Sequence, residues 1–239
     1  MSVSLQNARF YYSAPSPCPY LAGRMERRIF ADLGGAAAAA HYDLLSEAGF
    51  RRSLGFAYRP ACPGCNACVP VRIPVASFNF NKGWKRVWAR NDDLSAQSRP
   101  ARATIEQFEL FARYQQGRHG DGEMAQMDFA DYRTMVEIGA HGSLIVEFRD
   151  KDGTLVAASL IDRLARGFSA VYTFFDPAQP ARSLGSYAIL WMVEEARRHG
   201  LGHVYLGYWI AQSRKMAYKS RFRPLEALTR DGWRLLDQG

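Results

Sequence analysis

Beyond Thr104 the apolar residues fall into a rhythm that switches between helical and strand spacing. Thr104-Ile-Glu-Gln107 fits a capping box, and the pattern after it predicts a helix burying Ile105, Phe108 and Ala112, ended by a loop at 117–122. A second helix is predicted over 129–138. Three strands should follow at 143–148, 155–164 and 168–175, with Asp152-Gly153 and Arg166-Gly167 as turns. Ile189, Met192, Val193 and Ala196 share one face of a helix over 186–199, Glu194 and Arg198 face each other at i,i+4 on its other side, and Gly200 stops it. A strand at 203–209 comes next, with Val204, Leu206 and Tyr208 on one face and Tyr205, Gly207 and Trp209 on the other. A short helix and a last strand near 225–229 complete an α+β pattern.

The N-terminal stretch is less regular. Prolines punctuate an extended segment over 13–20, and 21–30 reads as a strand or a short helix. An alanine tract over 36–40 leads into a helix at 42–48, closed by Gly49 as a C′ glycine. Strands are expected at 50–58, interrupted by Gly55, and at 69–78, where Val71, Ile73 and Val75 alternate. Residues 79–103 read as a connector, which places a boundary near Pro100 and divides the chain into a unit at 1–99 and one at 100–239.

Charge sharpens that division. Residues 1–99 hold 13 Lys/Arg against 6 Asp/Glu, a net +7, and residues 100–239 hold 18 against 17, a net +1. The basic N-terminal unit should attract a polyanion in a salt-sensitive way. In the second unit five cations, Arg214, Lys215, Lys219, Arg221 and Arg223, run without an acid from 214 to 223, directly after the aromatic strand. They make either a polyanion-binding sheet edge or a solvated basic helix. No apolar run approaches the roughly 20 residues that cross a bilayer, and the first ten residues lack a signal-peptide layout, so a cytoplasmic location is expected.

Two constellations could carry chemistry. Arg182, Gly185 and Ser186 resemble the Arg-x-x-Gly-x-Gly/Ala phosphate loop of acyl-CoA-using enzymes at a helix N-terminus, although Tyr187 at the last position would crowd a pyrophosphate. The alternative is a plain helix start with Ser183 as N-cap. Cys62, Cys65 and Cys68 at x2 spacing, with Cys18 upstream, supply the four thiolates that zinc or an iron–sulfur cluster takes; the alternative is four reduced thiols packed as small apolar groups. His41, His119, His141, His199 and His203 form no metal or triad spacing, and no nucleophile elbow or P-loop occurs. Tyr172, Tyr205, Tyr208 and Trp209 fall near strand ends, where an aromatic ring can stack on a nucleotide base.

Several longer motifs carry a family resemblance. Residues 18–27 (Cys-Pro-Tyr-Leu-Ala-Gly-Arg-Met-Glu-Arg), Ala48-Gly-Phe-Arg-Arg-Ser53, 58–72 around the three cysteines, Arg90-Asn91, Tyr172-Thr-Phe-Phe-Asp-Pro177, 182–187, 205–210, 215–219 and Phe222-Arg-Pro-Leu-Glu226 closely resemble bacterial aspartate/glutamate leucyltransferases, a branch of the arginyl-tRNA–protein transferases. The predicted element order also matches, by analogy, the GNAT-type N-acyltransferase core. The resemblance implies a GNAT-like mixed sheet with flanking helices after a smaller, basic, cysteine-containing N-terminal domain. It further implies transfer of leucine from leucyl-tRNA to the α-amino group of proteins that begin with Asp or Glu.

Such a reaction fits the residues. The aminoacyl ester is already activated, so no cofactor is required for the chemistry, and the protein mainly positions an aminoacyl-tRNA and a protein with an acidic N-terminus. Asp176, at a strand end, is the candidate base for the ammonium proton, or else a turn carboxylate before Pro177. Arg24, Arg51 or Arg52 can offer a guanidinium fork to the acidic side chain, and alternation puts Arg51 and Arg52 on opposite faces. Arg182 is expected near the acceptor end of the tRNA, Gly185 and Tyr208 among the substrate-binding residues, and Arg214, Lys215, Lys219 and Arg221 on tRNA phosphates. The rival readings are an acyl-CoA-dependent GNAT enzyme and a non-enzymatic RNA-binding or metal-sensing module. Nothing in the sequence fixes the oligomeric state.

Overall fold

The computed structural model describes residues 8–35, 38–120, 122–139 and 142–236. Ala36 and Ala37 of the alanine tract and His141 lie outside them. The N-terminal part forms strands β1 (Phe10–Tyr12), β2 (Ser16–Pro17), β3 (Met25–Glu26) and β4 (Arg28–Asp32), then helix α1 (Ala38–Glu47) and the hairpin β5 (Arg51–Ser53) and β6 (Phe56–Pro60). Strands β1, β4, β6 and β5, in that order, make an antiparallel four-stranded sheet, while β2 and β3 pair only with each other. Gly49 ends α1 in the left-handed region, at φ +82°, where a side chain would also strike Leu228 and Pro70. The hairpin turns at Leu54-Gly55, which is why Gly55 interrupts the apolar run.

A second, eight-stranded sheet forms the body of the molecule. Its remaining elements are β7 (Val69–Pro74), helix α2 (Lys82–Ala89), β8 (Ser95–Pro100), helices α3 (Ile105–His119) and α4 (Phe129–Glu137), β9 (Ser143–Arg149), β10 (Leu155–Leu164), β11 (Gly167–Phe175), helix α5 (Leu184–Arg198), β12 (His203–Trp209), β13 (Glu226–Thr229) and β14 (Gly232–Leu235). The strand order is β14-β13-β7-β12-β11-β10-β9-β8. Helices α5 and α2 cover one face, where Phe148, Phe168, Val204 and Leu206 meet Leu190, Met192 and Val193. Helices α3 and α4 cover part of the other face through Leu110, Phe111, Tyr132 and Phe174. The small sheet and α1 close the rest of that face, where Tyr42, Leu45 and Ala57 pack with Leu164 and Tyr205. The architecture is the expected α+β mixed sheet with flanking helices and an N-terminal unit.

Several local expectations change. Residues 79–103 are not a plain connector: Asn81 caps α2 by accepting from the Trp84 N–H at 2.9 Å, and 95–100 become the edge strand β8. Strand β7 and all but the last residue of β8 lie within 1–99 yet belong to the large sheet, so that sheet draws on both sides of the expected boundary. Helix α3 keeps its capping box but buries Gln107, Leu110, Phe111, Tyr114 and Gln115, whereas Ile105 is 57% exposed, because the inward stripe lies one residue row round from the predicted one. On α5 the predicted apolar face is buried, but Glu194 pairs with Arg197 and Arg198 with Glu195, at i,i+3. In β12 the register slips between Tyr205 and Gly207, with Gly207 at φ +78°. This bulge carries Tyr208 to the same side as Tyr205, away from Val204 and Leu206.

Candidate active site at the split between two parallel strands

The only parallel pairing among the described strands is that of β11 with β12, and it is short: Gly167 with His203, Phe168 with Val204 and Ser169 with Tyr205. A Cβ at Gly167 would lie 2.3 Å from the His203 carbonyl oxygen, so glycine is what lets the strands meet at all. Beyond Ser169 the two strands separate, β11 staying with β10 and β12 with β7. Open backbone at the carboxyl ends of parallel strands is a natural ligand crevice.

Arg51, from the small sheet, fills the start of this split. Its guanidinium donates to the Ala170 carbonyl on β11, to Ser169 Oγ at 3.2 Å and to the Tyr205 carbonyl on β12 at 3.4 Å. One side chain therefore spans both diverging strands. Gly207 makes room for it, since a Cβ there would sit 2.7 Å from Arg51 Nε. Arg52 points the other way, as the alternation of β5 requires, and is committed elsewhere. Its Nε and Nη2 grip Asp162 at 2.7 and 3.0 Å, and its Nη1 donates to the carbonyls of Leu54 and Ile138. Asp162 also accepts from Tyr42 and Ser143 at 3.0 and 2.7 Å, so this fully buried carboxylate is completely satisfied. Arg52 thus joins the small sheet to β10 and has no fork left for a substrate.

The basic stretch divides as sharply. Arg214, Lys215 and Arg221 are exposed, with Arg221 lying 5.3 Å over the Trp84 ring. Lys219 is instead 6% exposed and donates to the Tyr208 carbonyl at 2.7 Å. A buried ammonium cannot serve a solvated phosphate, so Lys219 leaves the expected tRNA-binding set. Burial, reinforced by the positive charge of Arg51 and opposed by the Cys68 thiol, pushes its pKa down to about 7. An unfolded chain keeps that proton up to the ordinary lysine value of 10.5, so stability should rise as pH climbs from about 7 toward 10. Urea unfolding of wild type and Lys219→Met across this range checks the sign: the variant should lose most of the rise. Parallel profiles for the two proteins would contradict it.

The remaining expected site residues are held by neighbours. Tyr208 shares its hydroxyl proton between the carbonyls of Gly49 and Tyr58 at 2.9 and 3.0 Å, which ties β12 to the small sheet rather than to a ligand. Asp176 accepts from the Ala178 N–H at 3.0 Å and from Gln179 Nε2 at 2.9 Å, the arrangement of a turn carboxylate. Arg182 forms a bidentate pair with Asp93, both contacts at 2.8 Å, and that pairing holds the Asp93 carboxyl below its usual range. The side chain of Asn91 donates to the Arg182 carbonyl at 2.9 Å, and Arg90 donates to the Ala181 carbonyl. The sequence flagged Arg90-Asn91 only through resemblance; the structure shows them clamping this loop. Ser183 adopts φ +55° and makes no side-chain cap, and Gly185 packs against the Phe175 ring, which a Cβ would approach to 3.0 Å. Tyr187 is buried between Trp88 and Phe148. The loop that resembled a phosphate cradle is thus a packed and ion-paired helix start.

All four cysteines are free, half-buried and gathered along one cleft with Tyr20, Arg24, Glu26 and Tyr58. A backbone hydrogen bond from Ala67, together with Arg24 donating to Cys65 Sγ at 3.2 Å, lowers the Cys65 pKa. Arg24 is therefore engaged with the cysteine loop. Burial and then the charges of the other three thiols raise Cys68 to about 11. Among the described residues no group of three or more His, Cys, Asp or Glu is drawn together as a metal-binding set. No helix among them is long and apolar enough to cross a membrane.

Comparison with known proteins places this geometry in a family. Residues 16–86 match the model of the arginine-tRNA-protein transferase N terminus, and residues 106–229 match that of its C terminus. The aspartate/glutamate leucyltransferase of Paramagnetospirillum magneticum is 54% identical over 96% of this chain and 94% of its own length. That of Rhodospirillum rubrum gives the same identity and coverage, and that of Caulobacter vibrioides is 48% identical over 95% of this chain and 84% of its own. Likeness to solved structures is slighter: the structure of L-PGS from Bacillus licheniformis superposes with a TM-score of 0.49 at 12% identity, over 86% of this chain and 70% of that one. The chain belongs to the arginine-tRNA-protein transferase family.

Proposed function

From that membership we propose that the chain transfers leucine from leucyl-tRNA to the α-amino group of proteins beginning with Asp or Glu. The observation that carries this reading is the 54% identity to aspartate/glutamate leucyltransferases over nearly the full length of both chains. The split between β11 and β12 suits the chemistry. A neutral amine attacks the aminoacyl ester and forms the amide, the bond to the ribose oxygen breaks, and the proton lost by the amine balances the one the ribose oxygen takes up as it becomes a hydroxyl. An α-amino group with a pKa of about 8 gives up its proton at little cost near neutrality, and the ester needs no further activation. Positioning supplies the rate factor.

In this reading Arg51 presents the hydrogens it does not use on β11 and β12 to the acidic side chain. Arg214, Lys215 and Arg221 meet tRNA phosphates from the exposed rim. Arg52, Tyr208 and Lys219 hold the walls in place. Cys18, Cys62, Cys65 and Cys68 have the donor chemistry that zinc or an iron–sulfur cluster takes, but they only line a common cleft and are not drawn together as a ligand set, so no step is assigned to a metal. A substrate that is an aminoacyl-tRNA implies a cytoplasmic enzyme. The test supplies leucyl-tRNA with peptides beginning Asp, Glu or Ala and weighs the products by mass spectrometry. Leucine should appear on the Asp and Glu peptides and not on the Ala peptide. Folded protein that leaves all three unmodified would overturn the reading. An acyl-CoA-dependent reaction is less well supported, because the loop expected to hold the pyrophosphate is filled by Tyr187 and the Arg182–Asp93 pair.

A further inference from the structure

The small sheet has two unlike faces. One turns Ala31, Ala57 and Arg52 inward, and all three are buried. The pairing register sets the other: Tyr11 lies opposite Phe30, Phe30 opposite Tyr58, and Tyr58 opposite Arg51. Paired residues of antiparallel strands project to the same side. Three aromatic rings and the guanidinium of Arg51 therefore form one straight row across all four strands. Phe56, on the same face, sits edge-on to Phe30 at 6.4 Å, and Phe30 and Tyr58 are 6.0 Å apart. The face is most open at its outer part, with Tyr11 49% and Phe56 43% exposed, while Phe30, Tyr58 and Arg51 are half-buried.

Two further features of this face select its partner. Arg28 lies 5.3 Å over the Tyr58 ring, and no acid occurs in the chain before Glu26. The acids on the face are occupied: Glu26 pairs with Arg28 at 2.6 Å, and Asp32 accepts from the Gly34 N–H at 2.8 Å. The row also has a direction. Its last member, Arg51, is the residue that enters the split between β11 and β12. A ladder of rings that ends at a guanidinium matches successive unpaired bases, because every base offers a π-face.

We infer that this outer face of the small sheet is a stacking platform for the unpaired 3′ end of the tRNA, leading its terminal aminoacylated nucleotide past Tyr11, Phe30 and Tyr58 to Arg51. The inference rests on the tRNA-dependent reading above and adds to it the surface that receives the single strand. It assigns the exposed basic rim at Arg214, Lys215 and Arg221 to the double-stranded part of the same molecule.

The test compares two labelled RNA hairpins with the full-length protein, one carrying a short unpaired 3′ end and one blunt, by fluorescence anisotropy at fixed salt. Wild type should bind the tailed hairpin about tenfold or more tightly than the blunt one, the size expected for stacking on aromatic side chains. Tyr11→Leu and Phe56→Leu keep apolar bulk on exposed positions but remove the ring. Each should lose most of that preference, with blunt-hairpin binding and the thermal midpoint unchanged. Variants that keep the full preference would overturn the platform, and so would a wild type with no preference. Loss of acidic-peptide binding in place of tail binding would assign the face to the protein substrate and also overturn it. Leucyl transfer by wild type, measured alongside, separates the two ideas. Transfer without a tail preference sinks only the platform. A tail preference that both variants lose supports the platform even where no leucine is transferred.

Discussion

Asp162→Ala should be the most destabilising single change in the molecule, costing about 3–5 kcal/mol of unfolding free energy. It leaves the Arg52 guanidinium buried, 5% exposed, with no carboxylate, and removes an acceptor from Tyr42 and from Ser143. For a chain of this size that corresponds to a fall in thermal midpoint on the order of 10 °C. The attraction of the pair is largely cancelled by the desolvation of both groups, so Arg52→Met with Asp162→Leu should recover much of the loss. Equilibrium urea unfolding of the single and double variants reads both numbers. A single variant within about 1 kcal/mol of wild type would show that the small sheet is held to β10 by apolar packing and not by this network.

Arg51→Gln should have the largest effect on activity. It lowers kcat/KM for peptides beginning with Asp by about two orders of magnitude, the loss of a charge-assisted pair worth roughly 3 kcal/mol. The same substitution should matter far less for peptides beginning with Asn, whose neutral amide draws little from a guanidinium. That difference separates recognition from scaffolding, because Arg51 also bridges Ala170, Ser169 and Tyr205 across the split. An equal loss on both peptides would mean that Arg51 only holds the strands and that another cation reads the acid.

What the sequence disclosed, and what it withheld, follows from the range of the interactions. Strand β12 and the apolar face of α5 were legible because a periodic pattern is local and Gly200 marks the break between them. The capping box of α3 was legible for the same reason, although its buried stripe was displaced by one row, since only the partner strands decide which stripe faces in. Helix α2 was hidden because its cations suggest a connector, although Trp84, Val87 and Trp88 recur at i, i+3 and i+4 and all pack on the core in an element of only two turns. Alternation correctly put Arg51 and Arg52 on opposite faces. Which of them would be consumed internally depended on Asp162, 110 residues away, and no spacing rule spans that distance. The run of cations from Arg214 to Arg223 read as one surface, and the burial of Lys219 inside it was invisible because the Tyr208 carbonyl that holds it lies beyond a turn. The bulge that turns Tyr208 around was equally silent, for a slip of one residue leaves the composition of a strand unchanged.

Direct aminolysis of a leucyl ester by an acidic N-terminus needs no activating co-substrate. Its most direct test is a single-turnover experiment in which purified leucyl-tRNA or arginyl-tRNA is mixed with excess protein and a peptide beginning with Asp, in buffer free of ATP and coenzyme A. Leucine should leave the tRNA and appear on the peptide amine in equal amounts, and arginyl-tRNA should give little or no product. Leucyl-tRNA that stays charged while the peptide remains unmodified, or product that forms only when an acyl-CoA is added, would contradict it.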